Sequence, residues 1–293
     1  MQLSLFDGSD LAINVASVPQ RSPFRYPGGK TWLIPCIRQW LNAFPQRSTT
    51  LVEPFAGGAI VGLTAAAESL ADHVELIELD EDVAAVWQVL LQSTADAEWL
   101  AERIACFELT LANVTTILTS IPNTTRERAF RTIIKNRVNR GGILASGAGL
   151  IKAGEAGKGL SSRWYPYTLQ KRIIEIVKNQ HKISFIQADA LQVLAQRTWL
   201  PTTAFFIDPP YTASKKGAGS RLYTHNELDH DKLFALAAQL PGQVLMTYDD
   251  SEAVRSLAAK YQFIWHPIIM KNTHHARKTE LLIGKQLDWL PKS

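Results

Sequence analysis

Asp208-Pro209-Pro210-Tyr211 brings together an acid, two prolines and an aromatic directly after the apolar run Thr203-Ala204-Phe205-Phe206-Ile207. Proline lacks an N–H and fixes φ, so such a loop is stiff and leaves carbonyls available as acceptors. Asp208 and the carbonyl of Pro209 can each accept one N–H of a planar amino group, while Tyr211 stacks on the ring that bears it. An exocyclic amine on an aromatic base is a weak nucleophile, because its lone pair is delocalised. Two acceptors that draw its hydrogens out of plane localise that pair toward an electrophile. The plainer alternative is a proline turn that closes a strand.

Two further clusters suit a nucleoside-bearing partner. Phe55-Ala56-Gly57-Gly58 follows the strand-like Leu51-Val52-Glu53 and precedes an Ala-rich helical run. Glycine there removes the Cβ that would block a ligand from the backbone. Glu78 lies about 20 residues on, at the end of the next strand, placed to accept from ribose hydroxyls. The dinucleotide fingerprint G-x-G-x-x-G is absent, so the turn alone is also compatible with a tight bend beside a surface acid. Arg25-Tyr26-Pro27-Gly28-Gly29-Lys30 offers a Gly-Gly loop with one lysine, suited to a carboxylate; in isolation it also reads as a turn with a capping lysine.

These clusters require elements to hold them. Apolar runs at 51–55, 74–77, 183–186, 203–207, 243–247, 263–265 and 281–283 read as strands. Helical patterns follow many of them, including 229–240 and 251–260, so the alternation predicts an α/β fold with a largely parallel sheet. Residues 95–182 break the alternation with mostly helical patterns. The domains expected are a tail at 1–21, a sheet domain from 22–94 and 183–293, and an inserted helical module at 95–182.

The chain has 293 residues, 46% hydrophobic and 20% charged, which excludes disordered and low-complexity classes. No apolar run reaches the roughly 18 residues of a membrane span. Two cysteines, Cys36 and Cys106, are too few for a disulfide framework or a zinc cage, and the histidines lack metal-like spacing. A cytoplasmic monomer with no metal is expected. Net charge is only +4, yet residues 120–182 hold thirteen lysines and arginines against three acids, so the rest is acidic overall. Solvated helix faces are the bland explanation. Interleaved glycines and the aromatic run Trp164-Tyr165-Pro166-Tyr167 favour a polyanion-binding surface instead.

Arg25 to Lys30, Glu53-Pro54-Phe55-Ala56-Gly57-Gly58 and Asp208 to Tyr211, in that order, resemble the motifs of the DNA adenine N6-methyltransferases. The closer likeness is to the α-type group that contains the bacterial DNA adenine methylases. It extends to Leu222-Tyr223-Thr224-His225 and to Arg277-Lys278-Thr279-Glu280-Leu281-Leu282. The resemblance implies a Rossmann-like sheet that binds S-adenosylmethionine, with a DNA-recognition module inserted. Tyr26 and Lys30 would hold the methionine end, Phe55, Ala56, Gly57 and Gly58 form the cofactor turn, and Glu78 take the ribose. Asp189 would contact the cofactor's adenine, and Asp208, Pro209, Pro210 and Tyr211 a flipped target base in double-stranded DNA, with Asp208 also among the cofactor-binding residues.

Two departures stand out. Ala59 replaces a third glycine found in many relatives, which is tolerable if φ is negative. Asn136-Arg137-Val138-Asn139-Arg140-Gly141-Gly142 only loosely resembles the start of the equivalent stretch in GATC-type enzymes, so a different recognition sequence is expected. Arg137, Asn139, Arg140, Lys152 and Arg163 are the candidate DNA contacts, to base edges or to phosphates. Rival readings are methylation of RNA or of cytosine N4, and a non-catalytic protein on the same scaffold. At the N-terminus, Gln2, Leu3, Leu5 and Phe6 resemble the short peptide with which bacterial repair proteins dock on the DNA sliding clamp.

Overall fold

Alternation of apolar side chains along short runs builds the centre of the molecule. The computed structural model describes residues 18–44, 47–154, 157–210, 228–271 and 277–290. Its seven strands are β1 (Thr50–Glu53), β2 (His73–Glu78), β3 (Ile183–Gln187), β4 (Thr203–Ile207), β5 (Gln243–Asp249), β6 (Ile264–Lys271) and β7 (Arg277–Gly284). They form one sheet in the order β3-β2-β1-β4-β5-β7-β6. The first five are parallel, and β7 runs antiparallel between β5 and β6. Along β4, Ala204 and Phe206 enter one core, whereas Phe205 and Ile207 enter the other; Leu51 and Val52 of β1 divide in the same way. Each large side chain fully buried here contributes about 1.5–3 kcal/mol.

Helices cover both faces. On one lie α1 (Ile34–Asn42), α2 (Ile60–Ala67), α3 (Glu81–Gln92), α4 (Thr94–Ala105), α5 (Leu111–Thr119), α6 (Thr125–Val138) and α7 (Pro166–Asn179). On the other lie α8 (Ala190–Gln196), α9 (His230–Gln239) and α10 (Glu252–Lys260). The expected α/β architecture is thus present. The inserted stretch is helical, as its patterning indicates, but it is not packed as a separate body. Leu100 of α4, Ile133 of α6 and Ile173 of α7 share a core with Leu51 and Leu76 of the sheet.

Several boundaries differ from the sequence reading. Val18 is 4% exposed and Arg21 pairs with Glu68 at 3.1 Å, so the end of the expected tail belongs to the folded body. Strand β6 continues well beyond residue 265 despite Pro267. It is the edge strand, where a missing N–H breaks no central ladder. Gln2, Leu3, Leu5, Phe6 and Tyr211 lie outside the described residues.

Ala59 is a clear correction. It caps α2 with φ 47° and ψ 33°, in the left-handed region, and not with the negative φ that would make its methyl harmless. The tight approach of its N–H to the Ala56 carbonyl, 2.6 Å, closes the turn that starts the helix. A Cβ in this region costs roughly 1–2 kcal/mol, and glycine's extra unfolded-state entropy cancels part of that. Ala59→Gly is therefore expected to stabilise the protein by about 0.5–1 kcal/mol, a melting-temperature rise of roughly 1–3 °C. Calorimetry showing an unchanged or lower melting temperature contradicts this.

Candidate active site

A doubly wound sheet binds ligands beyond the carboxyl ends of its strands, where the order reverses. Here that point lies between β1 and β4, and a cleft of about 530 Å³ opens there. Its size falls within the range of small-molecule and cofactor sites. Tyr26, Gly57, Glu78, Asp189 and Asp208, which come from distant parts of the sequence, all line it.

The first wall is two loops pressed together. Tyr26-Pro27-Gly28-Gly29 makes a turn in which the Gly29 N–H donates to the Tyr26 carbonyl at 3.1 Å, with Gly28 at φ 75°. Proline at the second position and a positive-φ glycine at the third suit a type II turn. The Tyr26 ring then lies on the glycine turn after β1. A Cβ on Gly57 would stand 2.6 Å from that ring, and one on Gly58 2.9 Å from the Tyr26 Cβ. Trp87 of α3 donates its indole N–H to the Gly57 carbonyl at 3.0 Å and fixes the turn from behind.

Glu78 is anchored at the end of β2. One oxygen accepts the Gly57 N–H at 2.8 Å, and the other accepts those of Leu79 and Asp80 at 2.8 and 2.9 Å. Burial raises its carboxyl above the ordinary range, against the opposing pull of these N–H groups. Each carboxylate oxygen has two acceptor sites, so the oxygen on Gly57 keeps one for a hydroxyl in the cleft. Asp189 caps α8 by accepting the Gln192 N–H at 3.0 Å, and it too lines the cleft.

On the same cleft stands Asp208, its side chain 21% exposed. Thr247 of β5 donates its hydroxyl to one oxygen at 2.7 Å, and the ammonium of Lys30 lies 3.0 Å from the other. Lys30 is 2% exposed, donates to the Gly28 carbonyl at 2.8 Å and lies 3.6 Å from Glu280 of β7. The sequence reading gave Lys30 to the methionine end; the residue lines the cleft, with its ammonium beside two acids of the protein. Glu53, at the end of β1, is buried and accepts the Gly62 N–H at 2.8 Å. Burial pushes its carboxyl up to about 8, with Asp208 adding to the rise.

The candidate DNA contacts divide. Arg140 and Lys152 are exposed and Arg163 is half-buried at the cleft. Asn139 is buried and donates to the Ile143 carbonyl at 2.8 Å, so its amide is spent on its own loop. Arg137 is 3% exposed and donates to the Pro23 carbonyl, which makes an outward base reader of it untenable. It lines the cleft with Arg25, Arg163 and Arg172. Burial and the neighbouring Arg172 and Arg25 push Arg137 down to about 9; burial, then Arg163, lowers Arg25. Other bases of the insert are neutralised within the fold, for example Arg126 on Asp96 and Arg128 on Glu81.

Sequence reasoning missed Asn136, although it sits in a quoted motif. Its amide accepts the Arg25 N–H at 2.8 Å and donates to the carbonyls of Arg25 and Gly142 at 3.1 and 2.7 Å. It also passed over Glu53, Thr247, Glu280, Arg25 and Arg172 as site residues. Only Glu53, Glu280 and Arg25 carried a signal, as members of motifs.

A glycine turn, a buried acid at a strand end and a proline-flanked acid on one cleft suit a methyltransferase that acts on an amino group. Kinship narrows this. Residues 26–272 match the family model of the D12 class N6 adenine-specific DNA methyltransferases, and the chain belongs to that family. Its methyl donor is S-adenosylmethionine, and the rival readings as an RNA or cytosine methyltransferase or a non-catalytic scaffold give way. No curated protein matches the chain. Among solved structures it is similar to a precorrin-6y C5,15-methyltransferase from Geobacter metallireducens, at 8% identity over 86% of each chain and a TM-score of 0.36. It is likewise similar to the rRNA methyltransferase aviRa from Streptomyces viridochromogenes, at 16% identity over 96% of this chain and 94% of that one, with a TM-score of 0.38. Likenesses this distant say nothing about substrate. Among the described residues no helix is long and apolar enough to cross a membrane.

Proposed function

We propose that the enzyme methylates N6 of an adenine extruded from double-stranded DNA into this cleft, with Asp208 and the Pro209 carbonyl accepting the amino hydrogens. The observation that carries this reading is the position of Asp208 on the same cleft as the Tyr26–Gly57 wall and Glu78. The residues suit S-adenosylmethionine: the turn at Gly57 leaves no room for a side chain, and Glu78 keeps an acceptor site for ribose. Tyr26 with Phe55, Ala56, Gly57 and Gly58 would form the floor of that site, and Asp189 would meet the adenine. When bound, the cofactor supplies a methyl carbon on cationic sulfur, which takes the amine's lone pair as the C–S electrons return to sulfur.

The chain's own part is positioning and charge. The amino group is shielded within the base stack, so the adenine must be flipped, at a cost of a few kcal/mol. Tyr211 would recover part of that by stacking. Asp208, held by Thr247 and Lys30, would orient the lone pair and accept the proton that nitrogen releases. Hydrogen bonds aimed at developing charge in a dry site and a fixed line of attack are the main sources of rate. In the basic end of the cleft, Arg25 Nη1 and Arg137 Nε are buried without a hydrogen-bond acceptor among the described residues. A backbone phosphate beside the flipped nucleotide would supply that acceptor and relieve the repulsion among the guanidinium groups. The insert at 95–182 would then serve as the recognition module, with the protein acting as a cytoplasmic monomer.

With radiolabelled donor and unmethylated genomic DNA, digestion is expected to return label in N6-methyladenine. Asp208→Ala should lower turnover at least a hundredfold and leave cofactor affinity within about threefold. Normal turnover with lost cofactor binding would reverse the assignment. Arg140→Ala with Lys152→Ala, both exposed, should reduce the slope of log affinity against log salt by about two. An unchanged slope would mean that neither side chain meets a phosphate. The peptide at Gln2, Leu3, Leu5 and Phe6 would add a tethered link to a bacterial sliding clamp. Pulldown by the clamp should be lost in Leu5→Ala, Phe6→Ala, and retention removes the idea.

A further inference from the structure

The base-holding acid is not alone. Asp208 at the end of β4 and Glu280 on β7 meet at Lys30, Glu53 on β1 lies near enough to Asp208 to feel its charge, and β5 adds Thr247 and Tyr248. We propose that Lys30 and Glu280 are positioning residues for methyl transfer: Glu280 and the Gly28 carbonyl hold the Lys30 ammonium so that it fixes the Asp208 carboxylate toward the substrate amine. This rests on the reading of Asp208 as the acceptor of the amino hydrogens.

The geometry supports it in three ways. Lys30 and Glu280 are each 2% exposed, so neither is a surface ion pair of negligible strength. The two oxygens of Asp208 are separately engaged, Thr247 at 2.7 Å on one and Lys30 at 3.0 Å on the other, which sets the plane of the carboxylate. The charge balance also needs a cation there. Glu53, pushed up to about 8, is mostly neutral near pH 7, and among the described residues Lys30 is the cation that lies beside both Asp208 and Glu280. Burial lowers the Lys30 ammonium, but the two carboxylates outweigh it and hold it above its ordinary value. The same influence of Asp208, after burial, raises the Tyr248 phenol, so that group stays neutral.

Removing the ammonium leaves two like charges that favour a protonated Asp208; removing the Glu280 charge does the reverse. The readout is the single-turnover rate of methyl transfer to unmethylated genomic DNA at saturating donor, followed from neutral pH down through the whole acidic limb, on the full chain. Over this range Glu53 is already neutral. In Lys30→Met the acidic limb should move up by about one unit or more, and in Glu280→Gln it should move down. Cofactor affinity by equilibrium dialysis should stay within about threefold in both. Opposite shifts are not what a merely structural role produces. An unmoved limb in both variants overturns the proposal. So does a Lys30→Met enzyme that loses cofactor affinity more than tenfold yet keeps its saturated rate, since Lys30 would then hold the cofactor. If Lys30→Met does not fold, Glu280→Gln decides, and an unmoved limb there is fatal. Asp208→Asn separates the two layers. Full turnover in that variant removes the base-holding role and the positioning role with it; lost turnover beside unmoved limbs removes only the positioning role.

Discussion

Three acids at one end of the sheet, two of them beside the buried ammonium of Lys30, are the constraint on which the site depends. An isolated buried carboxylate is too costly to retain its charge, so each must be neutralised, paired or hydrogen-bonded. Glu53 takes the first course, Asp208 and Glu280 the second, and Thr247 adds a hydroxyl to Asp208. The strands that bear them, β1, β4, β5 and β7, stand side by side in the sheet, three parallel and one reversed. Reversal of β7 brings Glu280 opposite Asp249, next to the end of β5 that adjoins the cleft. A parallel strand there would require a crossover, and its chain direction would be opposite.

How much of this the sequence disclosed depends on whether a residue's task is local. The strand ends that bear Glu78 and Asp208 were legible, because alternation and turn chemistry are written in neighbouring residues. Phe55 to Gly58 were legible as a close-approach turn for the same reason. What approaches that turn was not: the Tyr26 ring comes from about 30 residues upstream. Lys30 shows the limit most plainly. A lysine after two glycines suits an anion, and the anion it meets is a carboxylate of the protein itself, from a loop almost 180 residues away. Ala59 failed for a different reason, since the sign of φ is imposed by the turn and not by the residue that occupies it.

Charge counting was similarly half right. The stretch 120–182 is basic, yet Arg126, Arg128 and Lys135 lie against acids of α3 and α4 and serve to dock the insert. Such exposed pairs contribute little individually; the shared apolar core under α4, α6 and α7 holds the insert in place. What remains for a polyanion is a smaller set, which includes exposed Arg140, Lys152, Lys158 and Lys171 and the guanidinium groups inside the cleft. Depth, not number, distinguishes the second group. A buried guanidinium surrounded by its own kind has more to gain from an incoming phosphate than an exposed one already solvated by water.

The two halves of the site are also mechanically one. Asn136 of α6 binds both the N–H and the carbonyl of Arg25, and the same amide reaches the Gly142 carbonyl. Gly142, at φ 74°, lies so near that a Cβ would stand 2.2 Å from the Arg25 carbonyl oxygen. Tyr26 follows Arg25 directly and packs on the glycine turn, so the insert loop, the Arg25–Lys30 loop and the cofactor turn form one continuous stack. A shift of the insert must therefore move Arg25, or break three hydrogen bonds of a fully buried amide, each break leaving a polar group unsatisfied at a cost of about 1–3 kcal/mol. The arrangement resists adjustment at the insert loop that leaves the glycine turn untouched, and the buried Asn136 amide is where that resistance resides.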